Sequence, residues 1–231
     1  MSASFVELVQ AARPHDEILN AGVDGDLAVN ALARVGAVLA WRPDVVVVLV
    51  GTNDVLATLS ARRARVYRWW KRLADEPTPQ RYHEALDAIV RRVQEAGARC
   101  LLATLPPLGE DATSTAGQRL LAANEALRAV ARAHGVDVVE VHDAIAAELA
   151  RRAPGGGRAL PAGDLDMVRA MVQRRLLGWS FERIGGANGY RVLSDGVHLG
   201  EGAARLVGDL MVAALATRGA AAVATRAGPA N

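Results

Sequence analysis

Six consecutive aliphatic residues, Val45 to Val50, follow Arg42-Pro43-Asp44 and stop at Gly51-Thr52-Asn53-Asp54. A β-branched run with no polar alternation offers no face to water, so it predicts a strand covered on both sides, as in a parallel sheet between helical layers. Arg99 to Leu105 and Asp137 to Val141 repeat the pattern, giving way to loops at Pro106-Pro107 and His142-Asp143. A shorter stretch, Glu17-Ile18-Leu19-Asn20, predicts one more strand and runs into a glycine-bearing turn. Helical stripes lie between: Leu27, Leu32, Val35, Val38 and Leu39, then Tyr82, Leu86, Ile89, Val90 and Val93, closing at Ala96-Gly97. Asn124 to His134, ended by Gly135, and Gly202 to Leu215 complete the series. Strand and helix alternate, so the expected fold is α/β: a doubly wound, mostly parallel sheet in one domain over residues 1–217.

Two stretches break this rhythm. Residues 151–193 exceed the roughly 12 to 15 residues of an ordinary connection. Leu165, Val168, Val172 and Leu176 predict a helix inside them, with Asp164 as its cap. With Gly155-Gly156-Gly157 and Gly185-Gly186 as hinges, the segment reads either as a lid insertion over a site or as a plain surface excursion. The second stretch, Arg62 to Arg72, interleaves six cations with Tyr67, Trp69 and Trp70 and contains no acid. One reading is an arginine-faced helix that packs its tryptophans on the body. The other, since the segment leaves the strand end that carries Asn53, is a substrate-access or lipid-contacting surface built on Trp69 and Trp70. Residues 218–231, rich in Ala and Gly, predict a disordered tail.

Composition narrows the function classes. The net charge of +2 is too small to make the whole chain an electrostatic partner of nucleic acid. Cys100 is the only cysteine, so no internal disulfide forms, and its neighbours Leu101 and Leu102 place the thiol on a buried strand. No apolar run approaches the roughly 20 residues that span a bilayer. The N-terminus has no signal-peptide pattern, so the expected compartment is the cytoplasm, with secretion open if the true start lies upstream.

The polar motifs fall where an open α/β sheet binds ligands, outside the carboxyl ends of its strands. Gly25 lies in Asn20-Ala21-Gly22-Val23-Asp24-Gly25, Asn53 follows the valine strand, and Ser194-Asp195-Gly196-Val197-His198 precedes the last helix. In a tight turn, Asp195 can hold the Nδ1-H of His198 and leave Nε2 to take a proton from a hydroxyl. Gly25 offers a backbone N-H where a side chain would obstruct substrate, and Asn53 offers its amide; an acyl-transfer oxyanion needs such donors. His15, His83, His134 and His142 lack partners of this kind in the sequence and are expected to be structural or exposed. No spacing suggests a metal site or a cofactor.

In these motifs the chain resembles the GDSL or SGNH hydrolase family, from about Phe5 to Leu215. Pro43-Asp44 before the valine strand and Thr104-Leu105-Pro106-Pro107-Leu108 after the next one match it as well. The resemblance implies a flavodoxin-like sheet, with Gly25 and Asn53 as oxyanion donors, His198 as general base, Asp195 as its orienting acid and Asp54 as a brace for the loop. The family's first block, Gly-Asp-Ser at the end of the first strand, has no match here. That strand is interior in the order 2-1-3-4-5, so its absence leaves the strands at Ile18 and Val46 either to pair directly or to flank a slot.

Ser4 is the serine best placed by position, but Ser4-Phe5-Val6-Glu7 is a capping-box pattern that occupies the hydroxyl. Ser2 is a weaker candidate. The nucleophile is therefore expected upstream of Met1, and the chain as it stands is expected to be inactive. The expected function is cleavage of small-molecule carboxylic esters, acyl or acetyl, through an acyl-enzyme, without cofactor, nucleic-acid partner or membrane contact. The alternative is an inactive relative that binds acyl or carbohydrate ligands without cutting them.

Overall fold

The computed structural model describes residues 4–153, 156–161, 163 and 165–217. Three parallel strands, β1 (Val45–Val48), β2 (Arg99–Ala103) and β3 (Asp137–Val139), form one sheet in that order. The register sets Val46 beside Cys100 and Leu102 beside Val138. Around the sheet run α1 (Phe5–Ala12), α2 (Ala28–Leu39), α3 (Thr52–Thr58), α4 (Ala61–Trp70), α5 (Pro79–Glu95), α6 (Thr115–His134), α7 (Val141–Arg152), α8 (Leu165–Leu177), α9 (Phe181–Ala187) and α10 (Glu201–Ala216).

Both faces of the sheet are covered, which explains strands without polar alternation. On one face Val48, Cys100 and Leu102 pack with Val35 of α2, Leu86, Ile89 and Val90 of α5 and Leu127 of α6. On the other, Ala103 and Val139 pack with Val9 of α1, Ile145 of α7 and Val207 and Met211 of α10. α5 shows how the sequence makes such an element. The Thr78 hydroxyl accepts the Arg81 N–H at its start, Pro79 fits the first turn, and Tyr82, Leu86, Ile89, Val90 and Val93 recur on one face. Gly97, with φ of +79°, turns the chain out of it and into β2. Removing one such anchor, as in Leu86→Ala, costs about 2 to 5 kcal/mol. The Cys100 thiol is buried, and burial pushes its pKa up to about 12, so it stays protonated and inert.

The strand expected at Glu17–Asn20 does not form. Its residues are irregular, Leu19 is exposed, and only Ile18 reaches the second core, where its carbonyl accepts the Gln10 side chain. The physical reason is the lack of a partner strand among the described residues. Among the described residues, no backbone hydrogen bond reaches β1 on the side away from β2, so an extended segment there has no ladder to join. Val47 at this edge is 37% exposed despite its place in an aliphatic run.

The arginine-rich stretch is helical as α4 but buries none of its residues; Trp70 lies against the body while Trp69 is 82% exposed. Within residues 151–193, α8 leaves Met171 and Leu176 in solvent, whereas α9 buries Ile184 and touches α10. Asp164, Gly155, Ser2 and residues 218–231, read above as a cap, a hinge, a serine candidate and a tail, lie outside the described residues.

Candidate active site

The turn carrying Asp195 and His198 is closed on both sides. The Ser194 N–H donates to the His198 carbonyl at 2.8 Å, the Gly200 N–H to the Val192 carbonyl at 2.8 Å, and Leu193 bridges Leu199. Inside it, Asp195 Oδ1 accepts the backbone N–H groups of Val197 (3.0 Å) and His198 (2.8 Å), while Oδ2 lies 2.8 Å from His198 Nδ1. Gly196 has φ of +88°, and a Cβ there would meet the Tyr190 hydroxyl at 2.6 Å, so glycine is required in the middle of the motif.

The electrostatics follow from this geometry. Burial alone would raise the Asp195 carboxyl, but its bonds from His198 and the backbone outweigh that and hold it below the ordinary carboxylate range. His198 is shifted upward, first by its hydrogen bond to Asp195 and, against the opposing effect of burial, by the charges of Asp195 and Asp24. The Asp195 side chain is 5% exposed and that of His198 is 61% exposed, an anchored acid holding an imidazole that still meets solvent.

Gly25, with φ of +76°, lies directly under an aromatic ring: a Cβ built on it would sit 2.2 Å from Trp70 Cη2. Its N–H makes no hydrogen bond among the described residues. Asn53 donates through Nδ2 to the Asp26 carbonyl at 3.1 Å, and its Oδ1 accepts the Tyr67 hydroxyl at 2.7 Å. The amide is thus oriented from both ends, with one of its two N–H hydrogens left to point elsewhere.

The loop between these donors is fastened by residues whose roles are not visible in the sequence. Lys71 donates to the Asp24 carbonyl at 2.9 Å, pairs with Asp26 at 2.7 Å and stands 4.9 Å from the Trp70 ring centre. Arg34 holds Asp26 from the other side and reaches the Ala21 carbonyl. Asp54, buried next to Asn53, accepts the Ala28 N–H at 3.0 Å and so satisfies the first turn of α2. Burial pushes the Asp54 pKa up to about 7 against the opposing effect of that hydrogen bond. Tyr67, Lys71 and Arg34 act at sequence distances of 14, 47 and 8 residues, and only the basic-aromatic clustering of α4 hints at the first two.

The other expectations can be placed. Ser4 is the N-cap of α1: its hydroxyl accepts the Glu7 N–H and Glu7 accepts the Ser4 N–H, a complete capping box. Two of the remaining histidines have carboxylate partners of other kinds. His134 Nε2 lies 2.6 Å from Asp87 and His142 Nδ1 lies 3.0 Å from Asp143. His142 is buried and its N–H is bonded to Thr104, which marks it as a brace at the end of β3. Among the described residues, no group of three or more His, Cys, Asp or Glu side chains is disposed to hold a metal ion. No described helix is long and apolar enough to cross a membrane.

A parallel sheet wrapped on both faces by helices, with an acid-anchored histidine in the turn before the last of them, is the doubly wound α/β architecture. The chain belongs to the GDSL-like lipase/acylhydrolase family, whose model matches residues 2–160. The chemistry of that family is ester hydrolysis. Asp195 and His198 lie beyond the matched span, so their assignment rests on the geometry above. No curated protein matches the chain significantly. Among solved structures, the acetyl xylan esterase AlAXEase superposes with a TM-score of 0.64 at 18% identity, over 92% of this chain and 90% of that one. The acetylxylan esterase Axe2 from Geobacillus stearothermophilus gives 0.65 at 16%, over 93% and 80%. A lipase/acylhydrolase from Enterococcus faecalis gives 0.56 at 19%, over 91% and 84%. These likenesses establish a shared fold.

Proposed function

We propose that this chain is the body of a serine esterase for small carboxylic esters, whose nucleophile is a serine on a strand seated against the free edge of β1 and lying upstream of Met1. In this reading His198 Nε2 takes the serine proton as Oγ bonds the ester carbonyl carbon. Gly25 N–H and Asn53 Nδ2–H hold the resulting oxyanion. The carbon–alkoxide bond then breaks, His198 returns the proton to the alcohol, and water repeats the sequence to free the acid. Asp195 stays ionised throughout and steadies the imidazolium. The observation that carries the reading is the 2.8 Å contact between Asp195 Oδ2 and His198 Nδ1, which leaves Nε2 as the free nitrogen. Acetyl is the acyl group that the two acetyl xylan esterases among the solved neighbours support. Trp70, on Gly25, and the exposed Trp69 are assigned to substrate access.

The test compares this chain with one extended by the coding sequence that precedes Met1, using a fluorophosphonate probe and a nitrophenyl acetate. The extended chain is expected to be labelled and active, and the 231-residue chain slower by about a millionfold, the scale of nucleophile loss in such enzymes. Ordinary esterase rates from the 231-residue chain, abolished by His198→Ala, would place the nucleophile within it and overturn the proposal. Tight acyl or carbohydrate binding by an extended chain that resists labelling would instead support the binding-protein alternative.

A further inference from the structure

Glu110 stands in the loop after β2 and belongs to none of the three polar motifs, yet its carboxylate is buried at 3% exposure. Oε1 accepts three successive backbone N–H groups, those of Arg191 (2.8 Å), Val192 (2.7 Å) and Leu193 (3.0 Å), and Oε2 lies 2.9 Å from Arg191 N. Consecutive N–H groups converging on one anion form a nest, here filled by a side chain of the protein itself. These three residues are the arm that leads into Ser194-Asp195. The residue before Glu110 grips the same turn from the other side, with the Gly109 N–H donating to the Gly196 carbonyl, between Asp195 and His198, at 2.7 Å. Gly109 has φ of +68°, and a Cβ there would come within 2.4 Å of Leu160 N, so the pair Gly109-Glu110 is fixed in place. The Glu110 N–H donates to the Arg158 carbonyl and the Glu110 carbonyl accepts the Gly157 N–H, which completes the anchorage.

We infer that Glu110 is a positioning residue for the catalytic pair, its carboxylate fixing the 191–193 arm so that Asp195 meets His198. A buried carboxylate costs more to desolvate than an apolar side chain that would simply fill the space. Here its return is geometric: one acceptor sets three backbone donors, while Gly109 fixes the turn that follows. Glu110→Gln keeps the size and one acceptor oxygen but removes the charge and sets an amide N–H against that of Arg191 in place of Oε2. With the charge gone and a donor facing Arg191, the nest weakens and the contact between Asp195 and His198 slackens. The inference rests on the esterase reading for its functional meaning, but its first readout does not, because the pair is present in the chain as it stands.

The experiment is a proton NMR titration of the His198 Cε1–H in the 231-residue chain. The groups acting on that imidazole are Asp195 and Asp24. Asp195→Asn sets the limit of complete loss. Glu110→Gln is expected to bring the His198 midpoint down at least half of the way from wild type to that limit, and Glu110→Asp, whose shorter carboxylate reaches fewer donors, to fall between. Leu127→Ala, a cavity in the core on the other face of the sheet, serves as a destabilised control and is expected to leave the titration in place. If Glu110→Gln unfolds, Glu110→Asp is read alone against wild type and the same limit. A His198 midpoint unmoved in the folded Glu110 variants, or moved equally by Leu127→Ala, makes Glu110 a mere fold brace and overturns the inference. In the extended chain the expected signature is a lower kcat at unchanged KM. Absence of any hydrolysis there would count against the esterase reading and leave the NMR result standing.

Discussion

Asp54→Asn tests the most uncomfortable group near the site. Asp54 is 6% exposed and accepts the Ala28 N–H at 3.0 Å, and burial lifts its pKa from 3.8 to about 7. Between those two values the folded state binds a proton that the unfolded chain has released, so stability falls as pH rises through that window and the penalty is complete above it. Integrated from about pH 5 to about pH 8, that shift removes roughly 2.5 kcal/mol. Asparagine keeps an acceptor for Ala28 and does not titrate, so its stability carries no such slope. Urea unfolding of both proteins at both pH values gives the comparison. With a slope of about 2 kcal/mol/M, the wild-type midpoint should drop about 1 M further than that of the variant. Taking the difference between the two proteins cancels the titration of His198 and the other carboxylates. If the two midpoints move in parallel with pH, Asp54 bears no burial penalty and the upward shift of its carboxyl is wrong. Asp54→Ala, which also removes the acceptor, should cost about 1 to 3 kcal/mol for the stranded N–H at low pH, where the charge no longer matters.

Three further outcomes are expected. His198 is raised in the folded state, so its favourable contact with Asp195 is present below the ordinary histidine value and is lost as pH rises through the folded one. The base must be neutral to work, so the pH–rate profile of the extended chain should climb through a midpoint above 6.5, and Asp195→Asn should move that midpoint down while lowering the rate. Tyr67→Phe frees Asn53 Oδ1 and should lower kcat by about tenfold, the worth of one hydrogen bond, against about a hundredfold or more for Asn53→Ala; equal kcat in wild type and Tyr67→Phe would show that the amide is held from the Asp26 side alone. Ser4→Ala should cost about 1 kcal/mol in unfolding, as the loss of an N-cap does, and leave probe labelling of the extended chain unchanged.

What the sequence disclosed divides by range. The valine strand, the stripe from Tyr82 to Val93 and the Ser4 capping box are legible because each depends on residues within a few positions of one another. The Asp195–His198 contact is legible for the same reason, spanning three residues. Glu17–Asn20 misled because a strand's identity lies in its neighbour, and the composition of four residues carries no information about whether one is present. Glu110 was invisible: its partners are backbone N–H groups more than 80 residues away, and backbone donors leave no mark on side-chain identity. The same holds for Lys71 and the Asp24 carbonyl, 47 residues apart.

The unpaired edge of β1 and the bonds that hold the loops of the site fit together. With no strand at 17–20, the Gly25 loop lacks the sheet support that would ordinarily hold it, yet side chains of α2, α3 and the residue after α4 tie it down. Asp54 takes the Ala28 N–H, Asn53 takes the Asp26 carbonyl, Lys71 takes Asp24 and Asp26, and Arg34 takes Ala21 and Asp26. On the histidine side, Glu110 and Gly109 do the same for the 191–198 turn. Neither support calls on a residue at the open edge of β1. Under the proposed reading, a strand arriving at that edge would find Gly25, Asn53 and His198 already held, and would have only to pair with β1 to bring its own terminal residue to them. Preorganisation of this kind would keep the ordering cost of the site out of the pairing step.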